Sequence, residues 1–271
     1  MDILLYIIIF IMGTVFGSFF TLATYRIPRN QDITHTHSYC PNCSHKLGFL
    51  DLIPVFSYIF LLGKCRYCKE KISPRYLIIE LLSGVTFVLV AYLMNISVDN
   101  LKVTVLVEGA FMALYLCFIF IMAGIDKENR RIEKSVSMYG ILLSIAYIVY
   151  LCIIEHDSIY RYIIYLVFYI LILILDTITL KRYAQNSYVN GVILTAITMV
   201  IFTGEYIMIN TIIMTSLAVA INLLLHKIAN IRKKVRREKK DYGENITYGF
   251  YLAISNILNL LFVLAWYKFF I

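Results

Sequence analysis

Residues 40–75 read CPNCSHKLGFLDLIPVFSYIFLLGKCRYCKEKISPR, the only long hydrophilic excursion of the chain before position 125. Two Cys-x-x-Cys hooks, Cys40/Cys43 and Cys65/Cys68, stand 21 residues apart within it. Each hook is a tight turn that aims two sulfurs at one point, so the pair can set four thiolates at the corners of a tetrahedron. The competing reading is two unrelated reduced thiol turns. A zinc ion held by all four would have no open coordination position. It would be structural, stapling a loop that lacks a hydrophobic core of its own.

Outward from this loop the chain is apolar. Of 271 residues 61% are hydrophobic and only 15% charged. Crossing a bilayer takes about 20 apolar residues per helix. Eight segments qualify, at 3–22, 77–94, 103–125, 138–154, 162–180, 188–202, 206–225 and 249–270, the sixth being the shortest. The expectation is an all-α polytopic membrane protein of about eight transmembrane helices, with a cytosolic zinc-binding loop between the first and second.

The formal charge of +8 follows this topology. Residues 23–76 hold eight Lys/Arg, 126–137 four, 181–187 two and 226–248 eight, which is 22 of the 25. By the positive-inside rule those loops are cytosolic and both termini lie outside. A nucleic-acid partner is therefore not expected, because the excess charge marks loops and not a binding face. The run HKIANIRKKVRREKKDYGEN at 226–245 is a polybasic loop suited to anionic lipid. The first segment has Asp2 where a secretory signal carries basic residues, so it reads as a retained helix. Cys40, Cys43, Cys65 and Cys68 fall in a loop assigned to reducing cytosol, which favours metal over disulfides. Cys117 and Cys152 lie in hydrophobic helices as packing residues.

In GSFFTLATYRIP, residues 17–28, Gly17 and Ser18 allow close helix contact, while Arg26 and Pro28 mark the exit from the membrane. That stretch, CPNC, LDLIPVFSYIFLLGKCRYC at 50–68 and ISPRYLIIELLSG at 72–84 occur in order. The set resembles the amino-terminal region of type IV prepilin leader peptidases, a bifunctional peptidase and N-methyltransferase family. Thr21 stands where that family carries Asn. The resemblance implies a structural zinc on the four cysteines. It divides the chain into residues 1–84, which carry the first helix, the tetracysteine loop and the start of the second helix, and residues 85–271, a helical domain like the aspartyl peptidase core. Glu80 occupies an acidic family position. Its other reading is a carboxylate in the first turn of helix two, favoured by the helix dipole. Glu108 reads as interfacial.

IMAGIDKENRRIEKSV, residues 121–136, resembles the segment that carries the family's first catalytic aspartate, here Asp126; the Ile-Pro pair that usually follows is Ile132-Glu133. The competing reading of Asp126 is a solvated charge among Lys127, Arg130 and Arg131. Hydrolysis by aspartates needs two carboxylates sharing a proton, one activating water while the other polarises the scissile carbonyl. The family's second comes from a Gly-x-Gly-Asp motif. This chain has no Gly-Asp pair, and the best register sets Asn190 at that position, an amide that can only orient water or donate a hydrogen bond. Asp176 is the alternative second acid. It lies about 7 Å below Lys181 along its helix, with no Lys or Arg three or four positions away. An intramembrane carboxylate is a functional candidate by default, so Asp126 and Asp176 are expected to form a displaced dyad; the competing reading of Asp176 is an interfacial Asp served by water or a basic loop. ITYGFYLAISN at 246–256 resembles the family's Pro-Phe-Gly-Pro-Phe-Leu-Ala segment with both prolines replaced.

Two functions are compatible with these features. The first is a membrane aspartyl endopeptidase of the bacterial cytoplasmic membrane that removes the leaders of pilin-like precursors in type IV pilus assembly or protein secretion. Methylation of the new amino terminus from S-adenosylmethionine is implied by resemblance alone, since no Gly-x-Gly-x-x-Gly cradle supports it. The second is a non-cleaving descendant that binds pilin-like helices as a scaffold or only methylates them. A solute transporter fits poorly, because the spans lack paired helix breaks.

Overall fold

The computed structural model describes residues 2–100, 102–154, 159–179, 184–235 and 247–270. Nine helices are present among them: α1 (Asp2–Arg26), a short α2 (Phe56–Phe60), α3 (Arg75–Leu93), α4 (Val103–Asn129), α5 (Lys134–Ile154), α6 (Ile159–Thr179), α7 (Ala184–Thr203), α8 (Glu205–Val235) and α9 (Tyr248–Phe270). The eight long ones fall on the eight apolar segments of the sequence. Six of them, α1, α3, α4, α5, α8 and α9, are long and apolar enough to cross a membrane; in α6 and α7 the apolar stretches, Tyr162–Leu175 and Tyr188–Thr203, are shorter. This is an all-α, multi-pass membrane protein. The described residues form no β-strand beyond two isolated bridges, both in the cysteine loop.

The helices form two compact units, Met1–Cys117 with Tyr267–Ile271, and Phe118–Trp266. In the first, α1 and α3 run antiparallel at very close range. A Cβ added at Gly13 would lie 2.8 Å from the Gly84 Cα, and one at Gly17 2.8 Å from the Glu80 Cα. Only glycine admits this approach, the small-residue contact by which helices associate in lipid. Phe16 stacks on Phe87 with ring centroids 5.6 Å apart. Ile3, Ile7, Ile8, Ile11 and Val15 remain exposed along the rest of α1, as lipid-facing residues do. The far end is tied by Asp2, which accepts the Val98 N–H at 2.9 Å, and by Tyr6, whose hydroxyl donates to the Ile96 carbonyl at 3.0 Å.

Arg26, expected as an interface anchor, is buried. Its guanidinium donates to the carbonyls of Asp32, Thr36 and His37 at 2.8–3.1 Å and so shapes the chain leaving α1.

The second unit is held by hydroxyls. Tyr169 of α6 bonds Thr198 of α7 at 2.6 Å and Ser144 of α5 at 3.1 Å. Thr195, Thr198, Thr211 and Thr215 are buried and return their hydroxyls to carbonyls four residues back. That local bond lets a polar residue sit in a lipid-embedded helix without an orphaned donor.

Candidate functional site

The cysteine loop is built from one motif used twice. In the first hook the Cys40 N–H donates to the His45 carbonyl at 3.0 Å and the Ser44 N–H to the Cys40 carbonyl at 2.8 Å; in the second the Cys65 N–H reaches the Glu70 carbonyl at 2.8 Å and the Lys69 N–H the Cys65 carbonyl at 3.0 Å. Bridges Tyr39–Lys46 and Lys64–Lys71 close the two hairpins at the same relative positions. Ser44 and Lys69 follow the second cysteine of each hook with φ of 57° and 60°, the left-handed turn that folds both sulfurs inward. The four Sγ atoms lie within 4.8 Å of one another, and Cys40 Sγ stands 3.9 Å from Cys68 Sγ. Tetrahedral zinc with Zn–S of about 2.3 Å needs sulfurs about 3.8 Å apart. The donor set therefore fits a metal with a small contraction.

The backbone N–H groups of Cys68 and Tyr67 lower the Cys65 thiol to about 7. At Cys43 the His45 N–H favours the thiolate, but desolvation and the thiols of Cys40 and Cys68 outweigh it and push the group up to about 11. A cation is what would let neighbouring thiolates coexist here.

The hooks are joined to the helices through two carboxylates. Asp51, with only 5% of its side chain exposed, accepts Arg66 Nε at 2.6 Å, the Tyr67 hydroxyl at 3.1 Å and the Gly48 N–H at 3.1 Å. Burial works against its ionisation, yet these donors prevail and hold its carboxyl below the usual range. Glu80 corrects the sequence expectation. It sits in the second turn of α3 rather than the first, and its partners are tertiary: Oε2 accepts the Val55 N–H at 2.7 Å, and the carboxylate also accepts the Ser18 hydroxyl of α1. Val55 has φ 64° and ψ −54°, and the Phe56 N–H bonds the Pro54 carbonyl at 2.6 Å. This is a γ-turn of the strained hand, at a β-branched residue. Glu80 holds it in place.

In the second unit Asp126 is fully buried near the end of α4 and is not the solvated charge of the competing reading. Its Oδ2 accepts the Phe250 N–H at 2.8 Å, the Tyr188 hydroxyl also bonds the carboxylate, and Oδ1 has no hydrogen-bond partner. Gly249 permits this, since a Cβ there would stand 3.1 Å from Oδ2 and 3.1 Å from Met122 Sδ. Phe250 occupies the place of the second proline in the segment that ITYGFYLA resembles. Proline has no N–H, so this departure supplies the donor. Asn190 is buried on α7, and its neighbour Gly191 packs on Ile132, with an added Cβ only 2.9 Å from the Ile132 Cβ. The side chain of Asp176 lies outside the described residues, as do those of the polybasic stretch from position 229. Sequence reading missed Tyr188, Phe250, Val55 and Ser18 as partners of the two buried acids. Only the tyrosine, two positions before Asn190 in the register of the second-acid motif, carried a signal.

Residues 11–94 match the family described as the bacterial peptidase A24 N-terminal domain. The chain is 32% identical over 136 residues to a prepilin leader peptidase/N-methyltransferase of Klebsiella pneumoniae, covering 48% of this chain and 56% of that protein. Over 124 residues it is 36% identical to the protein of the same name from Vibrio cholerae, covering 42% and 47%. With the Bacillus subtilis protein of that name it shares 35% over 101 residues, covering 37% and 41%. The matches thus span about half the length of these relatives. No solved structure matches the chain.

Proposed function

From the premise that this chain is a divergent relative of the prepilin leader peptidase/N-methyltransferase family, we propose that it is a membrane aspartyl endopeptidase acting on pilin-like precursors. It cuts on the cytosolic side of their hydrophobic helix. The observation that carries the reading is Asp126: a fully buried carboxylate with one oxygen oriented by the Phe250 amide and the other left without a partner. An acid so placed is held still, with the hydrogen-bonding capacity of one oxygen unspent for a water or a scissile amide that enters the site.

Asp176 is the proposed second acid. A dyad divides the work: the ionised member takes a proton from water, and the protonated member donates to the carbonyl oxygen as the tetrahedral centre forms. Residues 1–84 contribute the loop stapled by zinc on Cys40, Cys43, Cys65 and Cys68, which would be structural, with all coordination positions taken by sulfur. Residues 85–271 contribute the carboxylates. The names of the relatives pair cleavage with N-methylation, and we extend that second activity, with S-adenosylmethionine as donor, to this chain. Its setting is the bacterial cytoplasmic membrane, with eight spans, basic loops inside against anionic lipid, and both termini outside.

A second reading has its own observation. Asn190, at the family's second acid position, is buried and cannot ionise. This favours a protein that binds or methylates pilin-like helices without cutting them. Co-expression with pilin-like precursors separates the two. Cleavage by the parent, lost in both Asp126→Ala and Asp176→Ala, is the result expected. Precursor that co-purifies uncut with the parent, and is cut once Asn190→Asp is introduced, favours the scaffold. Cleavage that survives Asp126→Ala overturns the site.

A further inference from the structure

Residues 49–62 lie between the two cysteine hooks and expose a run of large apolar side chains that nothing in the chemistry above uses. Phe49 is 82% exposed, Phe60 81% and Leu62 84%, with Leu50, Phe56 and Ile59 each more than half exposed. The two largest polar side chains of the same stretch are occupied. Asp51 is taken by Arg66 and Tyr67, and the Tyr58 hydroxyl donates to the Ile72 carbonyl. What remains exposed is mainly hydrocarbon, with a groove of about 470 Å³ lined by Leu50, Ile53, Phe56, Ser57, Phe60, Leu61 and Arg66. A patch of this kind on a loop surrounded by water would be a liability.

Its depth relative to the helices says what covers it. The Val55 N–H is bonded to Glu80 Oε2 at 2.7 Å, and Glu80 packs against Gly17. Glu80 lies five residues into α3, about 7 Å along the axis from Arg75, and Gly17 lies nine residues, about 13 Å, back from Arg26. The 19 residues of α3 span about 28 Å, no more than a hydrocarbon core of about 30 Å, so this helix has no turn to spare outside the bilayer. The Pro54–Phe56 turn is therefore drawn back along α1 and α3 to the level of the lipid chains. Lys46, Lys64 and Lys71 flank the apolar run in sequence. That is the pattern of an element lying in a membrane interface, with hydrocarbon below and cations at the phosphate level.

We propose that residues 49–62 are a monotopic membrane anchor whose exposed aromatic and aliphatic face is covered by the acyl chains of the leaflet from which α1 and α3 emerge. Glu80 is the peg that sets its depth. The metal hooks are thereby held against the membrane surface instead of projecting from it.

The test uses the full chain with its single tryptophan, Trp266, changed to phenylalanine. It is reconstituted in phosphatidylethanolamine and phosphatidylglycerol vesicles, with tryptophan introduced separately by Phe49→Trp, Phe56→Trp and Phe60→Trp, and by Glu70→Trp on the second hook as reference. Nitroxide on the upper acyl chain is expected to remove most of the emission of the three aromatic-site variants, while aqueous iodide leaves it intact; Glu70→Trp shows the reverse. Quenching of the three by iodide would place the face in water and overturn the proposal. Insensitivity to both quenchers would mean that protein covers the face, which overturns it equally. Three independent sites keep the outcome readable if one variant fails to fold.

Discussion

Glu80→Ala removes the acceptor that fixes the Pro54–Phe56 turn, and its effect can be worked from the geometry. Oε2 of Glu80, a residue only 8% exposed, receives the N–H of the half-buried Val55 at 2.7 Å, so the donor left behind loses its one carboxylate acceptor. Loss of a hydrogen bond to a charged group costs about 1.5–3 kcal/mol. Relaxation of the Val55 backbone, which carries about 1–3 kcal/mol of strain, adds a drive to leave the turn. The turn should then open locally while the α1–α3 pair, packed through Gly13, Gly17 and Gly84, stays assembled. Amide exchange over residues 52–58 of the membrane-reconstituted protein is expected to accelerate by about 10- to 150-fold, the equivalent of that lost bond. Exchange in the interior of α3 should hardly change. Glu80→Gln retains a carbonyl oxygen for the Val55 N–H and should lose far less. Unchanged exchange over 52–58 in the alanine variant, or equal acceleration throughout α3, would refute the role given to this carboxylate.

Cys65→Ser should abolish stoichiometric zinc binding in the purified protein, measured by atomic absorption, because three sulfurs no longer close the coordination shell; retention of zinc at the parent's level would dismiss the four-cysteine site. Gly17→Leu should break the α1–α3 contact, since even a Cβ there meets the Glu80 Cα at 2.8 Å; a fall in apparent Tm reflecting at least about 1–3 kcal/mol is expected. At Asp51 the folded carboxyl titrates below its ordinary value. Its contribution to stability is thus complete above that ordinary value, near 3.8, and is lost as pH falls through the lower folded one. The Tm gap between the parent and Asp51→Asn should accordingly be constant from neutrality down to the ordinary carboxylate range and close below it.

The helices were legible because the information is local. A run of apolar residues long enough to cross a bilayer forms a helix wherever it is, as no other structure satisfies its backbone in lipid. The segments 3–22 and 77–94 therefore became α1 and α3 with ends shifted by a few residues. The hooks were legible for the same reason: Cys-x-x-Cys at Cys40 and Cys65 encodes its own turn. Glu80 was misplaced by one turn, because Ser73 and Pro74 ahead of the helix do not fix its first residue; the helix begins at Arg75.

What each buried acid touches was decided by packing. The donor to Asp126 Oδ2 is an amide 124 positions away, brought there because Gly249 has no side chain. The partner of Glu80 is the N–H of Val55, 25 positions earlier, available only because the chain turns with a positive φ at valine. Neither residue type advertises such a bond, since a backbone N–H is present at every non-proline position and its direction is set by the tertiary path of the chain. The amino-acid sequence by itself determined that this is a membrane protein of packed helices with a four-cysteine loop. Only the tertiary structure decided that the loop is pegged beside α1 and α3 by Glu80 and that Asp126 is buried with one oxygen held and one free, because burial and hydrogen-bond geometry arise between segments far apart in the chain.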